Sequence, residues 1–274
     1  MTLDEKYQNL KDFLVPLQSA AVAFSGGVDS SFLLAVASNV LGATNVLAVT
    51  VSSCFVTNKE QQTAQAFCLA HSLNQVVCNF DVLKIRGIQN NPPNRCYLCK
   101  KALFTKIAAI AHANNLKAVL EGSNFDDESD YRPGLQAVRE LGVKSPLLQA
   151  KLTKADIREL SHRLGLITWK RPAMACLASR LAYNELITPE RLQMVEKAEE
   201  KLISLGFTQV RVRLHGLSPG IIARIELLPR ELNKLTEAPL RQEIINYLKD
   251  LGFAYVTLDL QGYRTGSMNE PLPA

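Results

Sequence analysis

The first 165 residues alternate between short apolar runs and longer amphipathic stretches. AVAF, VLAVTV and AVLEG are continuous apolar segments rather than alternating ones, which is how strands buried on both faces of a parallel sheet read. Taken with the helical periodicity between them, the pattern predicts a helix near 3–17, a strand at 19–24, a helix at 30–41, a strand at 45–51, a helix at 58–72, a strand at 74–79, a helix at 97–114, a strand at 117–121 and a helix at 153–164. That order is doubly wound α/β with a parallel sheet. Ligands of such sheets lie beyond the carboxyl ends of the strands, and SGGVDS (25–30) sits at one of those ends.

The rhythm breaks at three connections. Residues 81–96 (DVLKIRGIQNNPPNRC) and 122–134 (GSNFDDESDYRPG) follow sheet strands and are long enough to be functional or disordered, and 169–185 (WKRPAMACLASRLAYNE) separates the two halves. Beyond it, Thr188-Pro189-Glu190 opens a helix that Gly206 closes. LGFTQVRVRLHG (205–216) and LGFAYVTLDLQG (251–262) then echo one another, each the end of a helix, a glycine stop and a strand, with ARIELL (223–228) as a further strand. The division expected is therefore a nucleotide-binding domain over 1–168, a cysteine-bearing connection over 169–185 and a smaller α+β domain over 186–274 that handles the substrate. Period-two alternation places Arg211 and Arg213 on one strand face, with Asp259 matching Arg213 in the echo. Such a face is either exposed and solvated or an anion platform.

Composition narrows the class. Of 274 residues, 47% are hydrophobic and 21% charged, enough for a sizeable core. The net charge of +5 is uneven: residues 1–179 hold 19 Lys/Arg against 14 Asp/Glu, and residues 180–274 hold 12 of each. A mild basic excess beside SGGVDS suits a phosphate-bearing small molecule, whereas nucleic acid binding calls for a denser basic stripe. The N-terminal helix lacks the apolar centre of a signal peptide, and nowhere do eighteen apolar residues run together. A cytoplasmic protein without a membrane span is expected, and its six cysteines are then core fillers, metal ligands or reactive thiols rather than a disulfide framework.

At a strand-to-helix turn, unpaired amides and the helix dipole stabilise a phosphate. Gly26 and Gly27 let the backbone approach it, Ser25 and Ser30 offer hydroxyls, and Asp29 calls for a divalent cation between its carboxylate and the phosphate, so Mg²⁺ is expected. Asp127 could share that ion or simply be solvated. No lysine follows the glycines as in a Walker loop, and GxGxxG is absent. The loop resembles that of the ATP pyrophosphatase (PP-loop) superfamily, whose members bind ATP and transfer AMP to a carbonyl or carboxyl oxygen. A nucleophile must then displace AMP, and Cys176, with Lys170, Arg171 and Arg180 close in sequence, is the best-placed thiol. Cys54, Cys68 and Cys78 read as buried small hydrophobes.

Several separate motifs go further: SGGVDSS, NRCYLCKKALF (94–104), DDESDYRPG (126–134), ACLASR (175–180), VRVRLHG (210–216), ARIE (223–226) and LDLQGYRTGSMN (258–269). Together they resemble the LarE family of ATP-dependent sulfur transferases along almost the whole chain. The resemblance implies adenylation of a carboxylate of pyridinium-3,5-biscarboxylic acid mononucleotide, sulfur insertion to give the thiocarboxylate precursor of the nickel-pincer cofactor of lactate racemase, and a homo-oligomer. It implies Cys176 as the sacrificial sulfur donor, left as dehydroalanine, and Arg211 and Arg213 as ligands of the mononucleotide phosphate. Arg180, Arg264, Glu199 and Asp259 are further candidates beside the substrate.

Cys96 and Cys99 add a CxxC whose spacing places both thiols on one side of a helix start. With Cys176 they make three possible ligands for a [4Fe–4S] cluster with one open iron, for zinc with a fourth ligand, or for a persulfide relay. A cluster or persulfide route, which spares the protein, is the reading the CxxC favours. The competing functions are a tRNA thiolation enzyme, an ammonia-dependent adenylating synthetase, and a nucleotide-sensing or cluster-carrying protein without catalysis. His71, His112, His162 and His215 form no spaced cluster.

Overall fold

The computed structural model describes residues 1–129, 133–172 and 175–270, so parts of the 122–134 and 169–185 connections, and of the motif at 126–134, lie outside the described residues. Chain contacts divide it into two compact units, Met1–Val82 with Cys96–Met174, and Leu83–Arg95 with Ala175–Ala274.

The first unit is the expected α/β layer structure. Its elements are α1 (Leu3–Leu14), β1 (Ala20–Ala23), α2 (Val28–Leu41), β2 (Val46–Ser52), α3 (Asn58–Ala70), β3 (Asn74–Asn79), α4 (Arg95–Ala113), β4 (Ala118–Leu120), α5 (Pro133–Glu140), α6 (Pro146–Gln149) and α7 (Lys154–Arg163). Reciprocal capping boxes start three of the helices: Thr2 with Glu5, Thr57 with Glu60 and Thr153 with Asp156. The four strands are parallel in the order β3-β2-β1-β4.

Successive strand residues serve opposite faces, which explains the unbroken apolar runs. Ala20 and Val22 of β1 and Val46 and Ala48 of β2 join a core with Leu10, Phe32, Leu34, Phe67 and Ile157. Ala21, Leu47 and Val49 join a second core with Phe104, Ile107, Ala111 and Val138. The chain runs from β1 outward through β2 to β3, then returns to place β4 on the other flank of β1. The switch point thus falls between β1 and β4, where ligand clefts of such sheets form.

The second unit contains α8 (Pro189–Ser204), β5 (Val210–Gly216), β6 (Ile221–Leu227), α9 (Leu232–Thr236), α10 (Ala238–Asp250) and β7 (Tyr255–Leu258). Its sheet has the order β5-β6-β7, with β5 antiparallel and β7 parallel to β6, so the two echoing segments flank the ARIELL strand. Residues 83–95 belong with it: Asn91, fully buried, donates to the carbonyls of Leu181 (3.1 Å) and Ala182 (2.7 Å), and Arg95 donates to Ala178 (3.0 Å). Among the described residues no helix is long and apolar enough to cross a membrane.

Candidate functional site

In the first unit, β1 delivers the chain to SGGVDS and α2 carries it away. Gly26 has φ +75°, and a Cβ there would lie 3.2 Å from the Ala64 backbone, so the turn demands glycine on both counts. Ser25 Oγ accepts from the Gly27 amide (3.3 Å) and lies 3.1 Å from Ser30 Oγ, which itself accepts from the Ser25 amide (3.3 Å). Gly27 caps α2 without a side chain. The amides of Val28, Asp29 and Ser30 therefore have no intrahelical acceptor, and they form the array that an anion would use.

The segment after β4 closes against this turn. A Cβ on Gly122 would stand 3.2 Å from the Ser30 nitrogen, a crowded contact that glycine avoids. Glu121, 5% exposed, accepts from the Ser123 amide (3.1 Å), Ser123 Oγ (2.7 Å) and Ser145 Oγ, and lies 3.7 Å from Lys100 Nζ. Asp127 is buried and accepts from the Asn124 amide (3.0 Å).

Asp29 accepts from Lys154 Nζ at 2.5 Å through Oδ2, while its Oδ1 is buried with no hydrogen-bond partner among the described residues. Burial pushes the Asp29 carboxyl up; Lys154 opposes the shift and the nearby Asp127 charge adds to it. An orphaned buried carboxylate oxygen beside a second carboxylate fits a divalent cation. Arg171 also reaches the loop, donating from Nη1 to the Gly26 carbonyl at 2.8 Å.

Cys96 and Cys99 are the second and fifth residues of α4, the first exposed and the second half-buried. Cys68 and Cys78 are buried as expected, and burial raises the Cys68 thiol to about 11. Cys54 departs from the expectation: it is only half-buried, because it lies just past the end of β2. Among the described residues, no group of three or more His, Cys, Asp or Glu side chains is assembled to hold a metal ion.

In the second unit, Cys176 is exposed at the head of a 3₁₀ turn, Leu177–Arg180. Its carbonyl accepts from the Ser179 amide (2.9 Å), Ser179 Oγ (2.7 Å) and Arg180 Nη1 (3.1 Å), and the same guanidinium reaches the Ala175 carbonyl. The other edge of Arg180 forms a bidentate pair with Glu199 of α8, both bonds 2.9 Å. Glu199 Oε1 also accepts from the Val212 amide (3.1 Å), tying the pair to β5.

Arg211 and Arg213 are 8% and 5% exposed, so the solvated sheet face that alternation allowed is not what forms. Arg213 donates to Glu226 (2.7 Å), Ser267 Oγ (3.1 Å) and the Ser179 carbonyl (3.2 Å). Glu226 is fully buried and also accepts from Arg224 (3.2 Å) and Ser267 Oγ (2.6 Å), thereby bridging two arginines that face each other across the β5–β6 register. The Arg211 guanidinium lies 5.5 Å from the Tyr263 ring centre, and burial, then the Arg180 charge, lowers its pKa. Asp259 binds Arg264 (3.1 Å) and Arg224 (3.4 Å), and Arg264 also pairs with Glu270. Burial would raise the Asp259 carboxyl, but the Gln261 amide and these arginines hold it below the ordinary range.

The structure thus gathers Cys176, Arg180, Glu199, Arg211, Arg213, Asp259 and Arg264 into one unit, and Ser25, Gly26, Gly27, Asp29, Ser30 and Asp127 into the other. Lys154, Glu121, Glu226, Arg224 and Ser267 were given no site role from the sequence, although ARIE contains Arg224 and Glu226 and the motif at 258–269 contains Ser267. Glu121 directly follows an apolar strand, and a carboxylate at the end of an apolar run was the signal available for it.

A family model for NAD synthase matches residues 8–96. An uncharacterized protein of Synechocystis is 40% identical over 274 residues, 98% of this chain and 99% of its own. The pyridinium-3,5-bisthiocarboxylic acid mononucleotide synthase of Lactiplantibacillus plantarum is 40% identical over 271 residues, 99% and 96% of the two chains. An uncharacterized protein of Methanocaldococcus jannaschii is 32% identical over 263 residues, 96% and 94%.

Proposed function

The chain belongs to the LarE family, and on that premise we propose that it adenylates a carboxylate of pyridinium-3,5-biscarboxylic acid mononucleotide with ATP and replaces the AMP by sulfur. The observation that carries the reading is the network around the exposed Cys176: one guanidinium, Arg180, holds the backbone of the thiol-bearing turn and pairs with Glu199, which is bonded to the strand bearing Arg211 and Arg213. A nucleophile and a set of buried anion-binding groups are thereby parts of one hydrogen-bonded assembly.

The roles follow from the chemistry of each group. The amides after Gly27 take the phosphates of ATP, and Asp29 with Asp127 would hold Mg²⁺, which supplies positive charge to the polyphosphate when bound. The substrate carboxylate attacks the α-phosphorus and pyrophosphate leaves. The Cys176 thiolate then attacks the acyl carbon and AMP leaves. Loss of the Cys176 Hα as a proton breaks the Cβ–S bond, so sulfur stays on the product as a thiocarboxylate and dehydroalanine stays in the chain. Arg211 and Arg213 hold the mononucleotide phosphate, with Arg264 and Asp259 ordering the segment that covers them.

The test is the intact mass of the protein after turnover with ATP and substrate. A loss of about 34 Da per chain, mapped to Cys176, is expected for this chemistry. Product formed with the mass unchanged would transfer the donor role to a cluster or persulfide on Cys96, Cys99 and Cys176, and it would then depend on Cys96 and Cys99. The NAD synthase match over the loop-bearing segment favours, as a second reading, an ammonia-dependent adenylating synthetase; full amidation turnover by Cys176→Ser would establish that instead.

A further inference from the structure

The cations around the phosphate loop are not equivalent. Lys154 Nζ is neutralised by Asp29 at 2.5 Å, and Lys100 Nζ faces Glu121 at 3.7 Å. Arg171 has no carboxylate partner among the described residues, although it is partly buried and directly against the loop. Among the described residues its side chain makes one hydrogen bond, from Nη1 to the Gly26 carbonyl at 2.8 Å, and the rest of a five-donor fork has no acceptor.

The placement of this side chain is built in. Arg158, on α7, donates to the carbonyls of Trp169 and Arg171, the latter at 2.6 Å, and the Trp169 ring packs edge-on against His162 of the same helix at 4.6 Å. The N-terminus of α7 also carries Lys154. One helix therefore positions both Lys154 and Arg171. Partial burial lowers the Arg171 pKa.

We propose that Arg171 is a ligand of the leaving pyrophosphate: one nitrogen braces the Gly26 carbonyl while the remaining donors bind the β- and γ-phosphates of ATP. As the substrate carboxylate bonds to the α-phosphorus and the bond to the bridging oxygen breaks, the electron pair passes to the pyrophosphate. A fixed guanidinium then gains interaction as that charge grows. The inference rests on the reading of SGGVDS as the ATP loop.

The test is calorimetric titration of the full-length Arg171→Gln, Arg171→Lys and Gly26→Val proteins with ATP, AMP and inorganic pyrophosphate, each in the presence of Mg²⁺. Arg171→Gln is expected to weaken ATP and pyrophosphate by about 10- to 100-fold, the range for a lost hydrogen bond to a charged group, and AMP by less than about 3-fold. Arg171→Lys, which keeps the charge but not the fork, should fall between. Equal weakening of ATP and AMP by Arg171→Gln, with an unchanged unfolding midpoint, would leave only the bracing of Gly26 and overturn the proposal, as would no weakening at all. Wild-type ATP affinity in Gly26→Val would instead overturn the loop assignment itself.

Discussion

Replacing Glu199 by glutamine isolates the interaction on which the thiol-bearing turn depends. The Arg180–Glu199 pair is nearly dry, with side-chain exposures of 5% and 10%, and Glu199 accepts both 2.9 Å guanidinium bonds as well as the Val212 amide. Glutamine keeps one acceptor and turns an amide NH₂ toward a donor, leaving Arg180 charged and buried without its counter-charge. Breaking a buried pair from one side costs about 3–5 kcal/mol. At about 2 °C per kcal/mol for a chain of this size, the unfolding midpoint should fall by about 6 °C or more. The assay is thermal unfolding of the wild type beside Glu199→Gln and a control, Glu243→Gln, which breaks the more exposed Lys201–Glu243 pair and should cost under about 1 kcal/mol. The double variant Arg180→Met with Glu199→Met removes both charges and should recover much of the stability. It should still transfer sulfur poorly, because the guanidinium bonds to the Ala175 and Cys176 carbonyls are then lost. A Glu199→Gln midpoint within about 2 °C of wild type would refute the reasoning, since the pair would then be contributing no more than a surface bridge.

Other outcomes follow from the same geometry. Cys176→Ser should still release pyrophosphate from ATP when substrate is present but form no thiocarboxylate, because a serine hydroxyl stays protonated where a thiol ionises; product analysis beside a pyrophosphate assay checks both halves. In a native thiol-alkylation experiment read by peptide mass spectrometry, the exposed Cys96 and Cys176 should label well before the buried Cys68 and Cys78, and early labelling of Cys68 would contradict its burial. Cys68 also gives a pH signature. Its folded pKa of about 11 lies above the ordinary thiol value of 9.0, so between the two the native state holds a proton that the unfolded state has released. Its contribution to stability is therefore present below pH 9 and lost as pH rises through 11. Cys68→Ala should flatten that part of the alkaline stability curve, measured by denaturant unfolding at successive pH values, at the cost of a small cavity.

Much of the α/β unit was legible because local rules and packing agree there. The apolar runs fixed β1 to β4 to within a residue or two, and the position of SGGVDS after β1 followed from them. The short helices α5 and α6 were not foreseen, since segments of eight and four residues carry too few turns for a period to register. The echo at 205–216 and 251–262 foretold two strands but not that β6 would stand between them, because strand order is a long-range choice.

For the site, the sequence by itself determined the chemical types: a glycine turn for phosphate, an acid for a cation, a thiol, and arginines on one strand face. Only the tertiary structure decided what each of them is bonded to. Alternation gave Arg211 and Arg213 a common face but could not tell water from protein above it, and the partners that bury Arg213 come from Ser179, Glu226 and Ser267, up to 54 residues away. In the same way Lys154 meets Asp29 across 125 residues, and Arg171 meets Gly26 across 145. Charge compensation in a low-dielectric interior acts through space, and a linear pattern contains the charges without the distances that pair them.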